Sequence, residues 1–375
     1  MQFDLTEARE LFPITKRSIY FNHAAVGPMS VLAKRAVDEC TAVYSRQAEF
    51  QLDEYVAKVK RGRELVAEFI GAEPEEITFT HNTSEGIYIA LINLPLNEGD
   101  TVLIMDEVFP AVRYVADYNL PHLNIKYVPF AGRDAVEVVE SRIDTKVKAV
   151  VVDFVQYLSG EMVDLKQLGS FLKSRGIYFV VDGIQAIGAV DFNVKETEVD
   201  FLACGAAKWL FGPSGTGFLY VNKRCFSSLK KFHTGWLGAE WLNFENCALQ
   251  PPLYEDARMF EQGTRNIIGM SAFCENVKIL LKYGLKNIEE HILDLQAALR
   301  RGFTQLNYEI ITPQHGLQSG IITMRPRADA KALYSLLAEK NIVISLRSNC
   351  LRFSPHFYNT HEEVEQIFRV LKAKL

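Results

Sequence analysis

Short apolar runs dominate the middle of the chain, from about residue 77 to residue 221. Runs such as "VKAVVVDF" and "GIYFVVD" are apolar almost throughout, which is typical of strands buried on both faces of a mainly parallel sheet. The stretches between the runs have helical spacing, and one of them, "DLKQLGSFLKSRG", ends in a basic residue and a glycine, as helices often do. The six strand-like runs are "DTVLIMD", "NIKYVPF", "VKAVVVDF", "GIYFVVD", "VDFLACG" and "TGFLYVN". This alternation predicts an α/β fold with a doubly wound sheet.

The pattern changes after about residue 260. A long helical stretch over residues 266–306 is followed by a strand-like "SGIITMRP", a helix "DAKALYSLLAEKN", a strand "IVISLR" and a last helix "HEEVEQIFRVLKAKL". We therefore predict a large α/β domain over residues 15–260 and a smaller α+β domain over residues 261–375 that also includes residues 1–14. The chain has no internal repeat, low-complexity tract or Pro/Ser-rich linker, so we expect the two domains to pack closely.

The composition and charge of the chain limit the kinds of molecule that it is expected to bind. The 375 residues are 48% apolar and 23% charged with a net charge of -5, and no block of like charges stands out. We therefore expect small molecules or proteins as partners, not nucleic acid or an anionic membrane. The start of the chain, "MQFDLTEARELF", lacks the basic and apolar regions of a secretory signal, and no apolar run approaches the roughly 20 residues of a membrane helix. These features predict a cytoplasmic protein.

The cysteines are scattered, with no C-x-x-C pair and no histidine at metal-ligand spacing. They are Cys40, Cys204, Cys225, Cys247, Cys274 and Cys350. We interpret them as reduced thiols and predict no metal site.

Residues that follow the strands are the first candidates for a site, because ligands of an open α/β sheet bind beyond the carboxyl ends of its strands. These residues are Asp106 and Phe109, Gln156 and Ser159, Asp182 and Gln185, and Lys208. A lysine at such a place usually extends to water, since lysine is rarely buried. The alternative is a desolvated amine with a lowered pKa that forms a Schiff base with a carbonyl.

Asp182 favours the second interpretation of Lys208. An acid that ends an apolar strand is costly to bury unless a cation or a strong donor meets it. A protonated pyridine nitrogen is such a donor, and pyridoxal 5'-phosphate requires a lysine for its aldehyde, an acid for its ring nitrogen and donors for its phosphate. The sequence offers all three.

Donors for a phosphate are present in "TFTHNTSEGIYIALINL", where a strand turns into a helix. A helix start binds anions through its free N–H groups and its dipole, and the hydroxyls of Thr83 and Ser84 add donors. Asn82 and Glu85 also have the spacing of a capping box, so ordinary helix capping remains the alternative.

The turn "GPSGTG" suggests a nucleotide loop at first sight. Gly212 and Gly217 have the spacing of G-x-x-x-x-G, but Phe218 and Leu219 follow where a P-loop needs Lys and Ser or Thr. No G-x-G-x-x-G ends a first strand either, so a dinucleotide oxidoreductase is a weak alternative. We interpret these glycines as a tight turn beside the cofactor.

With these residues in place, the chain resembles the class V aminotransferase superfamily of fold-type I pyridoxal-phosphate enzymes, in the branch of cysteine desulfurase-like and isopenicillin N epimerase-like proteins. The central block is "VVDGIQAIGAVDFNVKETEVDFLACGAAKWLFGPSGTGFLYV". The match extends from "IYFNHAAVGPMS" through "FEQGTRNIIGM" to "LRFSPHFYNTHEEVEQI". It implies a large domain with a mainly parallel doubly wound sheet and a smaller α+β C-terminal domain.

The resemblance implies a role for each candidate residue. Lys208 would carry the cofactor and move the Cα proton, Asp182 would hold the pyridinium nitrogen, and Gln185 would bond the phenolic oxygen or lie beside it. Thr83 and Ser84 would bind the cofactor phosphate, Phe109 would stack on the ring, and Gln156 would lie near the phenolic oxygen. Thr264 would bind the phosphate of the cofactor in the neighbouring subunit. Arg352 would bind the substrate α-carboxylate, and Asn22 and His23 would border the substrate. The reach of Thr264 implies a homodimer with shared active sites.

Structural alternatives remain for several of these roles. Phe109 is compatible with an ordinary core position, Arg352 with an ion pair inside the small domain, and His356 with a structural role.

Three positions depart from the pattern of the relatives. Ala207 and Gly205 occupy positions where many relatives have a histidine and a hydroxyl residue, so two usual cofactor contacts are missing. Arg265 replaces a proline, and it either faces the mouth of the site and favours an acidic substrate side chain or forms an ion pair.

The resemblance implies an enzyme that acts on an α-amino acid through an external aldimine and deprotonation of Cα. An aminotransferase of class V type is the main prediction, and a cysteine- or selenocysteine-type C–S lyase or an amino-acid epimerase is the alternative. A persulfide-forming desulfurase also needs a reactive cysteine on a mobile loop. Cys350 lies two residues before Arg352 and Cys204 lies within an apolar strand, which disfavours that reaction. A fold relative that binds without catalysis is the remaining class, and Lys208, Asp182 and Arg352 together argue against it.

Overall fold

The computed structural model describes residues 4–48, 52–241, 248, 250–327 and 329–373. Its largest element is a seven-stranded sheet with the order β2-β8-β7-β6-β5-β3-β4. The strands are β2 (Ile77–Thr80), β3 (Thr101–Met105), β4 (Asn124–Val128), β5 (Val147–Asp153), β6 (Tyr178–Asp182), β7 (Phe201–Gly205) and β8 (Gly217–Val221). Strands β3 to β7 pair in parallel, and β8 runs antiparallel to its neighbours β7 and β2. The six predicted strands and the mainly parallel sheet are confirmed.

Helices connect these strands and precede them. They are α1 (Leu5–Glu10), α2 (Val31–Gln47), α3 (Leu52–Ile70), α4 (Thr83–Asn93), α5 (Pro110–Asn119), α6 (Ala135–Glu140) and α7 (Leu165–Ser174). Helix α7 illustrates how the local sequence specifies a helix. The Asp164 side chain accepts a hydrogen bond from the Gln167 N–H and so caps the first turn of the helix. Leu165, Leu168 and Leu172 are buried at helical spacing and seat α7 on the core. No helix in the described ranges is both long and apolar enough to cross a bilayer.

The second unit contains a four-stranded antiparallel sheet with the order β12-β13-β10-β9. Its strands are β9 (Glu309–Ile310), β10 (Ile322–Arg325), β12 (Ser345–Arg347) and β13 (Cys350–Phe353). The helices of this part of the chain are α8 (Ile267–Tyr283), α9 (Leu285–Gln305), α10 (Ala330–Glu339) and α11 (His361–Lys372). The predicted long helical stretch is two helices, because Gly284 adopts φ of +79° and ends α8.

The start of the chain joins the two units. Strand β1 (Ile19–Tyr20) pairs in parallel with β11 (Ile342–Val343), and Phe21 lies in the core of the small unit. Helix α8 packs against α2 and α3 of the large unit. The domain boundaries at 15–260 and 261–375 stay predictions, and these contacts show that the two units are tightly packed across them.

Candidate active site

Two buried acids end neighbouring strands of the large sheet. Asp153 is the last residue of β5 and Asp182 the last residue of β6, and the register pairs them directly. The Asp182 carboxylate accepts a hydrogen bond of 2.9 Å from the Ile184 N–H. Burial raises the pKa of Asp182 to about 6, although the Ile184 N–H and the charge of Lys208 oppose that shift.

Sequence reasoning missed Asp153. It ends an apolar strand in the same way as Asp182, and that signal was available in "VKAVVVDF". Its Oδ2 accepts a hydrogen bond of 3.0 Å from the Phe109 N–H, and its Oδ1 has no hydrogen-bond partner among the described residues.

Lys208 lies in the turn after β7, half-buried, with its Nζ 5.6 Å from the centroid of the Phe109 ring. Burial is the main cause that lowers its pKa to about 8, and Arg352 adds to the effect while Asp182 opposes it. The amine is therefore close to half-neutral under mildly alkaline conditions. This property fits an amine that reacts with a carbonyl and then transfers protons.

The backbone around Lys208 is fixed by the N-terminal segment. The Gly27 N–H donates a hydrogen bond of 2.8 Å to the carbonyl of Ala207. A Cβ on Gly27 would lie 2.1 Å from the carbonyl oxygen of Lys208, so only glycine allows this approach. The stretch "NHAAVG" thus positions the lysine loop, although it is far from the lysine in sequence.

The start of α4 faces Gly205 at the end of β7. Asn82 accepts a hydrogen bond of 2.9 Å from the Glu85 N–H, but the Glu85 carboxylate contacts the backbone and ring of His81 and not the cap itself. The predicted capping box is therefore only half formed. The first N–H groups of a helix lack partners within the helix, so α4 can still offer donors to an anion.

The Thr83 side chain packs directly against the backbone of Gly205. The Thr83 hydroxyl oxygen accepts a hydrogen bond of 2.9 Å from the Gly205 N–H. A Cβ on Gly205 would lie 3.1 Å from that oxygen, so Thr83 occupies the room that a side chain at residue 205 would need. Ser84 is exposed beside it.

The two predicted glutamines are both held by the chain itself. The Gln185 amide donates to the Ala24 carbonyl at 3.1 Å and accepts from the Trp209 indole N–H at 3.0 Å. The Gln156 amide donates to the Glu107 carbonyl at 2.9 Å and accepts from backbone N–H groups of its own loop. Each NH₂ group keeps a second hydrogen, which is the one that remains for a ligand.

Phe109 is partly exposed, with 42% of its surface accessible, and is not an ordinary core residue. Its ring lies edge to face with Tyr157, with the centroids 5.3 Å apart. The exposed face beside Lys208 is where a planar ligand can stack.

Arg352, on strand β13 of the small sheet, reaches the candidate site in the large unit. The residue is 2% exposed. Its guanidinium donates to the Tyr157 carbonyl and contacts the Ser345 hydroxyl at 3.3 Å, and its Nε has no hydrogen-bond partner among the described residues. Ser345 in turn donates to Asn22. Burial and the nearby charge of Arg347 lower the pKa of Arg352 to about 10, so the group is still charged at neutral pH. No acid lies within salt-bridge distance of it in the described ranges.

His23, which was predicted at the substrate border, and His356, which was interpreted as structural, are both core residues. His23 is fully buried, with Nδ1 2.8 Å from the Ser354 carbonyl and Nε2 2.6 Å from the Tyr358 hydroxyl. Burial lowers its pKa to about 3. Both ring nitrogens are therefore engaged within the chain, and the place of His23 at the substrate border stays a prediction. His356 is also fully buried and contacts the Trp209 carbonyl at 3.1 Å, as its structural interpretation predicts.

Thr264 lies in an exposed loop, not in the strand-end cluster. Together with Gly217 and Gln262 it lines a cavity of about 280 Å³ that also borders His81 and Glu85 at the start of α4. Its neighbour Arg265 forms an ion pair with buried Glu261, which confirms the ion-pair interpretation of that residue.

The cysteines in the described ranges are free and are not exposed nucleophiles. Cys40, Cys204, Cys225 and Cys350 are buried and Cys274 is partly buried. Burial raises the pKa of Cys204 well above its ordinary value and that of Cys274 to about 11. Cys247 lies outside the described residues.

Comparison with known proteins agrees with this geometry. The sequence profile of the aminotransferase class-V family matches residues 29–367. An uncharacterized aminotransferase, YcbU, of Bacillus subtilis is 27% identical and covers 98% of this chain and 97% of its own. A probable cysteine desulfurase of Pyrococcus abyssi is also 27% identical, over 98% of this chain and 96% of its own.

A solved structure extends the likeness to three dimensions. The apo cysteine desulfurase of Thermococcus onnurineus NA1 superposes with a TM-score of 0.87 at 25% identity, covering 98% of this chain and 97% of its own. These matches and the mainly parallel sheet show the fold of a type I pyridoxal-phosphate enzyme. The chain belongs to the aminotransferase class-V family. The predicted fold, family and cofactor class are thereby confirmed.

Proposed function

We propose that this enzyme is an aminotransferase that acts on a free α-amino acid. The observation that carries the proposal is the buried Arg352 guanidinium, which has no acid partner in the described ranges and influences the charge of Lys208. A planar guanidinium binds a carboxylate through two parallel hydrogen bonds. A substrate α-carboxylate at Arg352 would therefore hold the adjacent α-carbon near the Lys208 amine.

The residues around Lys208 fit pyridoxal phosphate. Asp182 has one hydrogen bond and a buried carboxylate that a ring N–H would satisfy, Phe109 offers an exposed face, and the start of α4 with Thr83 and Ser84 offers donors for the phosphate. The pyridoxal ring, when bound, supplies an electron sink for the electron pair left on Cα. Gln156 and Gln185 are proposed to border the ring with their remaining amide hydrogens.

Lys208 is proposed to hold and move the proton at Cα. Its pKa of about 8 lies near the working range of a general acid–base group. Asn22, linked through Ser345 to Arg352, would border the substrate. Transamination needs one such base that removes and returns protons.

Racemisation is less well supported by the same surroundings. It returns the proton to the opposite face of Cα, which calls for a second base or a mobile one. The titratable groups with the largest effect on Lys208 are Asp182, Arg352, Asp153 and Cys204. Cys204 and the two acids are buried in or at the ends of strands, so none of these groups offers a second exposed base.

A C–S lyase is the second candidate, since two similar proteins carry the name cysteine desulfurase. The cysteines in the described ranges are buried or partly buried, which disfavours attack of an enzyme thiol on the substrate sulfur. Direct elimination at Cβ, without such a thiol, needs only Lys208 and a leaving sulfur and stays compatible with the site.

A panel of amino acids separates these reactions. Purified enzyme loaded with pyridoxal phosphate is incubated with each amino acid, with and without a keto acid acceptor. We expect amine transfer that requires the acceptor. Sulfide and pyruvate released from cysteine without an acceptor would replace the proposal by the lyase, and exchange of the Cα proton with loss of chirality alone would replace it by an epimerase.

We further propose a cytoplasmic homodimer in which Thr264 binds the phosphate of the neighbouring subunit. The support is the exposure of Thr264 in a loop that lines a cavity. Light scattering should give twice the chain mass, and Thr264→Ala should weaken cofactor binding without changing that mass. A monomer that binds the cofactor with full affinity would contradict the shared site.

A further inference from the structure

Asp153 is a second acid beside Asp182, and the proposed reaction gives it no role. The register pairs the two residues directly at the ends of β5 and β6. Adjacent strands lie about 4.8 Å apart, and paired residues point their side chains to the same face of the sheet. Two carboxyl groups therefore share one buried pocket.

The pocket contains few groups that could neutralise two negative charges. Each acid is 3% exposed and accepts a single backbone hydrogen bond, from Phe109 to Asp153 and from Ile184 to Asp182. The charge of Lys208 acts on both acids. Asp182 and Lys208 also act on the buried Cys204 thiol, and the Arg352 guanidinium acts on Lys208.

Two ionised acids in this arrangement would be unfavourable, because each loses its hydration and they repel each other. The pair therefore binds a proton, and the surroundings decide which acid holds it. Burial and the charge of Asp182 raise the pKa of Asp153 well above its usual range, whereas the pKa of Asp182 rises only to about 6. Lys208 is also influenced more by Asp182 than by Asp153.

We propose that Asp153 carries the proton of this carboxyl pair and acts as a positioning residue, which leaves the negative charge on Asp182 and holds the start of α5 through the Phe109 N–H. The assignment explains the Asp153 Oδ1, which has no hydrogen-bond partner in the described ranges. A protonated Oδ1 is a donor, and Asp182 is the acceptor beside it. The benefit to a pyridinium ring rests on the proposed function, whereas the proton itself is a property of the polypeptide.

The test uses the cofactor-free protein. Its unfolding by urea is followed at several pH values between 5 and 8 for the wild type, Asp153→Asn and a control, Asp200→Asn. Asp200 is an equally buried acid at the foot of β7, but it is paired with Arg224 at 2.7 Å and accepts from the Phe179 N–H at 2.9 Å.

The sign of the expected effect follows from linkage. A raised folded-state pKa means that the stabilising contribution of Asp153 is complete below its unfolded pKa of about 3.9 and is lost as pH rises toward its folded value. The Asn variant cannot lose that proton. Its folding equilibrium constant relative to wild type should increase with pH, approaching about tenfold per unit between pH 5 and 7. Asp200→Asn should instead lose stability throughout this range.

Three results would overturn the assignment. They are parallel pH dependences for wild type and Asp153→Asn, a loss of stability at pH 7 like that of Asp200→Asn, and, in wild-type protein labelled with ¹³C at aspartate carboxyl groups, the absence of any carboxyl that keeps its protonated chemical shift at pH 7. The labelled wild type decides the question even if Asp153→Asn does not fold.

The same variant gives a separate reading in the loaded enzyme. Asp153→Asn should keep the wild-type cofactor absorbance between pH 6 and 8, because it replaces one neutral group by another. Asp153→Ala should reduce cofactor affinity and Phe109-dependent stacking. Failure of the protein to bind any cofactor would refute the proposed function and leave the result on the apo protein unchanged.

Discussion

Two regions of this molecule bury polar side chains to a similar depth. One is the seam, the contact between the two units around His23, and the other is the candidate active site around Lys208. At the seam, both ring nitrogens of His23 have partners, the Ser354 carbonyl and the Tyr358 hydroxyl. At the candidate active site, the Asp153 Oδ1 and the Arg352 Nε have no hydrogen-bond partner in the described ranges.

The difference separates structural from ligand-binding polar groups. An unsatisfied buried donor or acceptor costs about 1–3 kcal/mol, and native proteins contain few of them. Two such atoms, the Asp153 Oδ1 and the Arg352 Nε, belong to residues whose charges act on Lys208, and a ligand bound there would supply the missing partners. Burial alone does not discriminate, because His23 and Arg352 are equally inaccessible.

The largest effect is expected at Lys208. Lys208→Ala should remove covalent attachment of the cofactor and lower activity by at least about 10³-fold, since positioned acid–base groups alone contribute 10²–10⁴-fold. In wild-type apo protein, the rate of cofactor attachment should rise with pH, because only the neutral amine attacks the aldehyde. The midpoint of this rise should lie at about pH 8, the pKa that burial gives the Lys208 amine. Borohydride reduction followed by peptide mapping measures both.

The control for this prediction is Lys166→Ala, which removes an exposed lysine that pairs with Glu196. It should leave attachment unchanged. A Lys208→Ala protein that still binds the cofactor covalently would show that another amine carries it.

A second prediction tests the small sheet. Arg352→Lys keeps the charge but loses the planar fork, so KM for the amino acid should rise about 10- to 100-fold, corresponding to roughly 1.5–3 kcal/mol of charged hydrogen bonding. Steady-state kinetics measure it. Arg325→Lys, on the same sheet but exposed and paired with Glu309, is the matched control and should change KM little. Equal effects of the two substitutions would argue against a carboxylate at Arg352.

The smallest expected effect lies in the seam. Tyr358→Phe removes the hydroxyl that lies 2.6 Å from the His23 Nε2, so the free energy of unfolding should fall by about 1–3 kcal/mol. The kcat and KM of the folded enzyme should stay unchanged. Urea denaturation and kinetics on the same sample measure both, and Tyr118→Phe, at an exposed side chain, provides the neutral control. A selective loss of activity would support the place of His23 at the substrate border.

Much of the fold was predictable because its signals are local. Continuous apolar runs identify strands buried on both faces, and capped amphipathic stretches such as α7 identify helices. Gly284 shows the limit of this approach, since a single glycine inside a helical pattern did not reveal that the chain there turns into a second helix.

The site was only partly predictable for a similar reason. Lys208, Asp182 and Arg352 are charged residues in or beside apolar strands, and they lie in motifs that resemble those of a known family. They could therefore be predicted from the sequence. The engagement of both His23 ring nitrogens within the chain could not be predicted, because a family motif gives a position along the chain but not the direction of a side chain. Asp153 had the same local signal as Asp182, an acid at the end of an apolar strand, but its pairing with Asp182 depends on which strand lies beside β5.

The sequence by itself determined the strands and most of the helices, because these follow from residue types and short-range spacing, and it indicated the class of enzyme and Lys208 through the resemblance to a known family. The tertiary structure alone decided which polar groups remain unsatisfied. It placed Asp153 beside Asp182, seated Gly27 against the Lys208 carbonyl and brought Arg352 to the site from another sheet. Such pairings depend on strand register and on packing between units, and the order of residues along the chain contains no local signal for either.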